Sequence, residues 1–373
     1  MRYTILIFAV LLSSTGCGEG GFLGSDFRPD ATGLEGQITV VIDSSLWNGS
    51  VGEALLNHVG GAIETLPAVE PEFDLEPVRL SSQDALNMAQ DRKNVLFVGL
   101  ISDSTAEKSV PENEYLSTLF SNDSLRQMIM AGSPALVARP NHWRRNQLVY
   151  YLAAASPSDL IASIEQHSGQ LRYHFNEIAR QRLHRDMFDI GRQHDLEQRL
   201  MNRHQFAVHG QHDYFIAIDT TQFVWLRRSL TDTWRSMFVY YEENGDPSKL
   251  NEAWIVEARD ALTQRYIGGT AGGWIEVDRR RPMTTAQINF KRRYAIEFRG
   301  LWHMVGEENG RKFPFGMGGP FVTYAFYDEP SGRLYLIDGM VFAPNFSKRE
   351  FMRQMEVIAY TFRTLEEEES EST

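Results

Sequence analysis

Arginine and tryptophan occur close together at two places in the C-terminal half of this sequence. Trp225 is followed by Arg227, and Arg299 is followed by Trp302. A guanidinium group can pair in a bidentate way with a carboxylate or phosphate, and an indole ring offers a flat apolar face, so the combination suits an anionic or carbohydrate-like ligand. The alternative is structural, with arginine stacked on tryptophan and paired internally with Asp338.

A glycine-rich segment lies between the second cluster and the C-terminus, with Gly316, Gly318 and Gly319 in the run GMGGP. Backbone amides of such a segment can bind an anion. A tight turn leading into a strand that begins at Phe321 is the alternative explanation. The sequence predicts one shallow ligand site, bordered by this glycine loop together with Arg227, Arg299 and Trp302.

The predicted strand Tyr294–Arg299 indicates how one of these residues is oriented. Its side chains alternate between two faces, so that Ile296 and Phe298 suit the core while Glu297 and Arg299 share the other, more polar face. We therefore expect Arg299 to be a surface residue.

The histidines and candidate nucleophiles show no pattern typical of catalysis or metal binding. The spacing of His204, His209 and His212 differs from the i, i+4 pair of a helical zinc motif, and the sequence contains no H-E-x-x-H, G-x-S-x-G, S-x-x-K or P-loop motif. The sequence therefore predicts no metal, no cofactor and no catalytic residues. Solvated positions on or beside a long polar helix are the expected role of five histidines: His167, His174, His184, His194 and His204.

The N-terminus predicts export and lipid attachment. Arg2 precedes an apolar run, Ile5–Leu12, that is too short to span a bilayer, and small residues follow it up to Cys17. A bacterial lipoprotein signal carries its acylated cysteine at this place, although Ser14 stands where such signals usually have an aliphatic residue. A plain secretory signal is the alternative. Several acyl chains on Cys17 would hold the protein firmly on a membrane.

The amino-acid composition excludes further classes of protein. The chain has 373 residues with 42% hydrophobic and 23% charged residues, typical of a folded globular protein. Its single cysteine excludes an intrachain disulfide, and its net charge of −12 argues against nucleic-acid binding. The short basic stretches at 279–281 and 291–293 suit either contact with anionic lipid headgroups or the protection of exposed strand edges.

Apolar and polar periodicity predicts an α+β protein of two layered α/β-type domains. Buried strands alternate with helices in the first half, which ends in a long helix from Pro157 to about residue 201. Short strands with two helices follow, a pattern typical of a mostly antiparallel sheet packed with helices. The predicted organisation is a signal peptide at 1–16, a flexible tether at 17–36, an N-terminal domain at 37–205, a C-terminal domain at 206–365 and a solvated acidic tail at 366–373.

Four C-terminal segments carry a family resemblance: FVWLRR (223–228), EFRGLW (297–302), MGGPFVTY (317–324) and DGMVFAPNFSKR (338–349). Together they resemble a family of uncharacterised envelope lipoproteins of the Bacteroidota, a domain of unknown function, and the resemblance extends back to VIDSSLWNGSVGEAL (41–55). This chain departs from the pattern by inserting residues 307–315. The resemblance implies two α/β-type domains on a cell-envelope lipoprotein and brings no catalytic residues with it.

These observations favour a binding or interaction module, lipid-anchored in the cell envelope and facing outside the cytoplasm. Its expected partners are the lipid bilayer, an envelope protein, or an anionic or carbohydrate ligand. The alternative is an extracytoplasmic hydrolase that acts on envelope material through carboxylates not yet identified.

Overall fold

The computed structural model describes residues 27–102, 110–269 and 272–371. The predicted signal peptide and the predicted anchor Cys17 lie outside these residues. In the part of the chain that is described, no helix has both the length and the apolar character needed to cross a membrane.

The N-terminal half alternates strands and helices. Its strands are β1 (Gln37–Val41), β2 (Asp74–Val78), β3 (Asn94–Leu100), β4 (Ala135–Pro140) and β5 (Leu148–Ala154). Its helices are α1 (Ser44–Trp47), α2 (Ser50–His58), α3 (Gln83–Asp91), α4 (Pro111–Leu119), α5 (Asp123–Met130) and α6 (Pro157–Phe188). The sheet order is β2-β1-β3-β5-β4, and all pairings are parallel except that of β4 with β5. β3 and β5 are almost wholly buried because apolar clusters cover both faces of the sheet.

The C-terminal half builds a larger antiparallel sheet. Its main strands are β7 (Phe215–Asp219), β8 (Phe223–Ser229), β9 (Trp234–Glu242), β10 (Trp274–Val277), β11 (Thr284–Phe290), β12 (Arg293–Glu308), β13 (Arg311–Asp328) and β14 (Arg333–Phe342). The remaining elements are α7 (His194–His204), β6 (Phe206–Ala207), α8 (Glu252–Tyr266), α9 (Arg349–Tyr360), β15 (Arg363–Thr364) and α10 (Leu365–Glu371). The order is β10-β12-β13-β14-β9-β8-β7, with β11 also paired to β12. Apolar residues of α8 pack on one face, and those of α7 and α9 pack on the other.

This architecture confirms the predicted α+β class and the mostly antiparallel C-terminal sheet. One predicted element is corrected: the long helix continuing to about residue 201 is two helices, α6 and α7. Gly191 lies between them with a φ of 80°, a left-handed conformation that glycine adopts without steric cost and that ends a helix.

The glycine-rich segment is also corrected, because it is part of a strand and forms no loop before one. Gly316–Gly319 lies within β13, where Gly318 and Gly319 pair with His303 and Trp302 of β12. Residues 307–315 lengthen this hairpin, which turns at Asn309 and Gly310 with φ values of 52° and 73°. Such a pair of positive φ angles is typical of a tight two-residue hairpin turn.

The predicted solvated tail is wrong for its described part. Residues 365–371 form α10, and Glu367 lies 3.0 Å from Arg293 of β12. Glu368 lies 3.0 Å from Arg363. Arginine partners on the folded body therefore hold this acidic segment against the domain.

The two halves are joined by contacts between helices and a loop. α6 packs against α9, and Glu70 of the loop before β2 accepts hydrogen bonds from the backbone amides of Lys348 and Arg349. A carboxylate at this position stabilises the start of α9 through its unpaired amides and its dipole. The N-terminal half thereby supplies the cap of a C-terminal helix.

Candidate functional site: a groove between the two halves

A groove of about 1010 Å³ opens between the N-terminal and C-terminal halves. α6 forms one wall, α9 another, and the floor consists of β11 and β12 with the loop at residues 62–66. Its volume is at the upper end of what small-molecule sites occupy. Both halves contribute arginines and glutamates to the lining: Glu64, Glu72, Arg172, Glu177, Arg180, Glu297, Arg299, Arg349, Arg353 and Glu356.

Arg299 lies at the floor of the groove between two carboxylates. Its Nε and Nη2 donate to the two carboxylate oxygens of Glu297 at 2.7 and 2.9 Å, and its Nη1 lies 2.7 Å from Oε1 of Glu356. Burial by itself would raise the pKa of Glu297, but the Arg299 charge and hydrogen bonds outweigh it and hold that pKa below its usual value. The floor is therefore an ionised, mutually paired cluster.

Aromatic hydroxyls lie beside this cluster. Tyr324 of β13 is opposite Glu297 and fully buried. Burial, together with the charges of Glu297 and Glu356, raises the pKa of its hydroxyl well above the usual value. Arg180 lies over the Tyr360 ring at 4.0 Å and pairs with Glu177 at 2.6 Å. Both tyrosines stay neutral, and Tyr360 is the one that lines the groove.

At the other end of the groove a polar network connects the two halves. Glu72 accepts a hydrogen bond from Nη1 of Arg172 at 3.0 Å and another from the Asn176 amide at 2.6 Å. Arg353 of α9 donates through Nη2 to the backbone oxygen of Glu72 at 2.8 Å and to Oδ1 of Asn176 at 3.3 Å. α6 and α9 are thus tied together through one loop residue.

Two buried nitrogen donors in this network lack a hydrogen-bond partner among the described residues: Nη1 of Arg353 and Nε of Arg172. Arg353 is 7% exposed and packs over the Phe73 ring at 4.8 Å. Its Nη1 forms an ion pair with Oε1 of Glu350 at 3.5 Å but makes no hydrogen bond. Burial lowers the pKa of Arg353, so its surroundings compensate its charge incompletely.

Comparison with protein families divides the chain at the connection between α6 and α7. Residues 31–188 match a domain of unknown function (DUF8532), and residues 193–361 match a second domain of unknown function (DUF4837). The chain carries these two domains. The groove therefore lies between them, with Arg172 and Arg180 in the DUF8532 domain and Arg299, Arg353 and Glu356 in the DUF4837 domain.

Two solved structures are distantly similar to part of this chain. The Saccharomyces cerevisiae Ran-binding protein Mog1p is 12% identical, with a TM-score of 0.30, over 43% of this chain and 90% of that chain. A point mutant of the protein Mog1 is 13% identical, with a TM-score of 0.28, over 43% of this chain and 91% of that chain. No curated protein matches the sequence.

The DUF4837 domain places the predicted site residues on two different faces of its sheet. Arg299 faces the groove, on the polar side of β12 as expected. Trp302 is three residues further along the strand, so its side chain is on the opposite face, where it is 1% exposed and 5.3 Å from the Trp234 ring. Arg227 is on that same opposite face, 5.8 Å from Trp234. Arg299 therefore lies apart from Trp302 and Arg227, and the three residues do not border one shared site as the sequence predicted.

The predicted glycines belong to the Trp302 side of the DUF4837 sheet. A Cβ added at Gly319 would meet the Val341 carbonyl at 2.0 Å and Nε1 of Trp302 at 3.4 Å, and one added at Gly318 would meet the Trp302 carbonyl at 2.9 Å. These glycines allow strands and indole to approach closely. Gly316, with a φ of 70°, has open space around it. Ligand contact by Arg227, Trp302 or the glycines stays a prediction.

The sequence also predicted that Arg299 is a surface residue, and this prediction is wrong. Its side chain is 23% exposed, and all three guanidinium nitrogens have carboxylate partners. The internal partner considered for the arginines, Asp338, pairs instead with Arg259 at 2.8 Å in the interior of the DUF4837 domain. Arg299 therefore organises the groove floor, where each of its guanidinium nitrogens is already held by a carboxylate.

The histidines are held by protein groups. His204 is buried, with Nε2 2.9 Å from Asp219 and Nδ1 3.2 Å from the Tyr241 hydroxyl. Burial lowers the pKa of His209 to about 3. Residues 27–102, 110–269 and 272–371 contain no cluster of three or more histidine, cysteine, aspartate or glutamate side chains arranged to hold a metal. The expectation of solvated helix histidines is wrong for His204, which lies in the core.

Half of the basic residues in the two basic stretches pair with carboxylates of the DUF4837 domain. Arg279 is 2.7 Å from Asp260, Arg280 is 2.7 Å from Asp278, and Arg293 is 2.7 Å from Asp328. Lys291 lies in the turn between β11 and β12 and donates to the backbone oxygen of Phe362. Neighbouring carboxylates thus pair with three of the six basic side chains that the sequence offered to a lipid surface.

Sequence reasoning missed most of the groove. Arg172 and Arg353 are 181 positions apart by their numbers in the sequence, and nothing local connects them. Arg353 and Glu356 lie three residues apart on α9, a spacing that places them on one helix face but is ordinary for a solvated surface. One sequence feature could have indicated the groove. α9 carries several charged residues although it also carries the core residues Met355 and Ile358.

Proposed function

We propose that this protein is a lipid-anchored binding protein of the cell envelope and that it captures a polar small molecule in the groove between its DUF8532 and DUF4837 domains. The observation that carries the proposal is the groove itself, a large concavity lined by ionised side chains from both domains. The signal-like N-terminus ending at Cys17 supports the anchor, and the resemblance to Bacteroidota envelope lipoproteins agrees with it.

The electrostatics favour binding over catalysis. A general acid that hydrolyses a glycosidic or related bond needs a carboxyl group with a raised pKa. Glu297 and Glu177 line the groove, and arginine partners lower the pKa of both. Asp338, whose pKa burial raises, is 0% exposed and paired with Arg259 inside the DUF4837 domain. The alternative of a hydrolase thus has less support than a binding protein.

Mixed charge and aromatic rings suit a polar ligand. The groove presents acceptors such as Glu356 and donors such as Arg180 side by side, which allows hydrogen bonds to groups that both donate and accept. Tyr173, 62% exposed at the rim, provides a flat apolar face. We therefore expect a compact ligand rich in oxygen atoms.

Native mass spectrometry of the full-length protein, solubilised gently from its own envelope, tests this function. We expect a mass excess of a few hundred daltons that disappears under denaturing conditions, whereas covalent acyl chains persist. Arg180→Ala removes a groove-wall side chain and should reduce the fraction that carries the excess mass. The matched control is Arg185→Ala, an exposed arginine of the same helix outside the groove. Loss of the excess in both variants, or its absence from the wild type, would contradict the function.

A further inference from the structure

We propose that the ligand of the groove carries an oxyanion, either a carboxylate or a phosphate, which binds between Arg353 and Arg172. The proposal rests on the proposed function and specifies the chemical group by which the ligand is anchored. It places that group where α6 of the DUF8532 domain meets α9 of the DUF4837 domain.

The first argument is the hydrogen-bond inventory of the groove. Nη1 of Arg353 and Nε of Arg172 are buried donors for which the described residues provide no acceptor. Leaving a buried donor unpaired costs about 1–3 kcal/mol, and more when the donor is charged. A ligand that supplies acceptor oxygen atoms would recover this free energy.

The second argument is the environment of buried arginines elsewhere in the molecule. Five arginines are buried in the described part of the chain. Three of them pair with a carboxylate within hydrogen-bond distance: Arg182 with Glu35 at 2.9 Å, Arg259 with Asp338 at 2.8 Å and Arg333 with Glu243 at 2.8 Å. Arg353 and Arg235 instead donate to amide or backbone oxygens. Of these two, Arg353 is the one that lines the groove.

The third argument concerns charge. Burial outweighs the neighbouring carboxylates and lowers the pKa of Arg353. A neutral hydroxyl could accept a hydrogen bond, but it would leave the guanidinium charge only partly compensated, by carboxylates such as Glu350 at 3.5 Å. A carboxylate or phosphate oxygen supplies both the acceptor and the opposite charge, and such charge-assisted bonds are about twice as strong as neutral ones.

The surrounding contacts keep both guanidinium groups in place. Glu72 holds Nη1 of Arg172 through its carboxylate and Nη2 of Arg353 through its backbone oxygen. Asn176 bonds to the Glu72 carboxylate and to Arg353. The two unpaired donors thus belong to side chains that are already ordered, which lowers the entropy cost of binding an anion.

Calorimetric titration of the full-length protein in detergent with three matched probes tests the proposal. D-glucuronate carries a carboxylate, glucose 6-phosphate a phosphate, and D-glucose neither. We expect at least one anionic probe to bind about tenfold or more tightly than glucose, since one charge-assisted interaction is sufficient for this difference. The stronger of the two anions identifies whether the site prefers a carboxylate or a phosphate.

Variants locate the binding. Arg172→Gln removes one donor from a side chain that is 39% exposed and should fold, and it should abolish the preference for the anion. Arg353→Lys keeps the charge but removes the guanidinium geometry and should also weaken anion binding. Arg185→Gln, on the exposed side of α6, should bind like the wild type. Equal binding of glucose would overturn the oxyanion while leaving a ligand-binding groove, and binding of neither anion, or unchanged anion binding in Arg172→Gln, would also overturn it.

Discussion

Nη1 of Arg299 lies 2.7 Å from Oε1 of Glu356, and this ion pair connects β12 to α9 across the floor of the groove. The same guanidinium holds Glu297 on its own strand. α9 also carries Arg353, whose contacts reach the DUF8532 domain. Arg299 therefore helps to fix the helix that carries Arg353.

Arg299→Ala should destabilise the protein markedly. The substitution leaves Glu297 and Glu356 without their shared partner in a largely buried place, and breaking such a pair from one side costs about 2–4 kcal/mol when part of it is still hydrated. Thermal unfolding should show a melting temperature about 5–15 °C lower.

Arg265→Ala is the matched control for this prediction, because Arg265 is exposed on α8. Its unfolding free energy should stay within about 0.5 kcal/mol of the wild type. If Arg299→Ala melted at the same temperature as this control, Arg299 would be a surface residue and the ion-pair floor would be wrong.

Gly319→Ala tests the close approach of β13 to its neighbours. The added Cβ would lie 2.0 Å from the Val341 carbonyl oxygen, so backbone must shift, and we expect a loss of about 3 kcal/mol. Gly169→Ala on α6 meets nothing within 4 Å and should be neutral or stabilising by up to about 1 kcal/mol. Denaturant unfolding of both variants measures the difference, and similar midpoints would contradict the close packing around Trp302.

His209 should make stability depend on pH in mildly acidic solution. Its pKa is about 3 in the folded state because burial disfavours the charged ring, against 6.5 for the free side chain. Below pH 6.5 the unfolded chain therefore binds a proton that the folded protein does not, and stability falls as the pH decreases. Between pH 7 and pH 5 the free energy of unfolding falls by about 2 kcal/mol for this reason.

His209→Gln removes this titration, so its unfolding free energy should fall by about 2 kcal/mol less than that of the wild type over the same interval. Chemical denaturation at a series of pH values measures the two slopes. His194→Gln, at an exposed position at the start of α7, should follow the wild type. Parallel pH profiles for wild type and His209→Gln would show that the His209 ring is charged in the folded state.

Cys17→Ser tests the lipid anchor. We expect the wild type to fractionate with membranes and to require detergent for release, because acyl chains on Cys17 hold it there. The variant should appear in the soluble extracytoplasmic fraction, with the same melting profile after purification. A variant that stays in the membrane fraction would show that another feature of the chain provides the attachment.

Much of the fold followed from local patterns. Continuous apolar runs predict strands at 37–42, 94–101 and 147–154, and β1, β3 and β5 agree with these ranges to within one residue at either end. The Glu-Pro-Ser-Gly sequence at 329–332 predicts a hairpin turn, and β13 and β14 pair on either side of it. These elements are determined by residues that are neighbours in the sequence.

Other elements depend on distant partners. β11, with the sequence TTAQINF, is exposed along most of its length and lacks an alternating apolar pattern. It is a strand because β12 extends beside it, which the sequence does not reveal. The groove has the same cause: the positions of Arg172, Arg353 and Glu356 follow from the packing of α6 against α9, and each alone resembles a solvated surface charge.

Site-specific photo-crosslinking in the native envelope tests the central claim most directly. A benzophenone side chain in place of Tyr173, at the rim of the groove, should form an adduct with a small molecule that mass spectrometry detects. The same side chain in place of Phe215, 49% exposed on β7 and outside the groove, should not. A small-molecule adduct at position 173 alone is the predicted result. The absence of an adduct there, or equal adducts at both positions, would contradict a ligand site between the two domains.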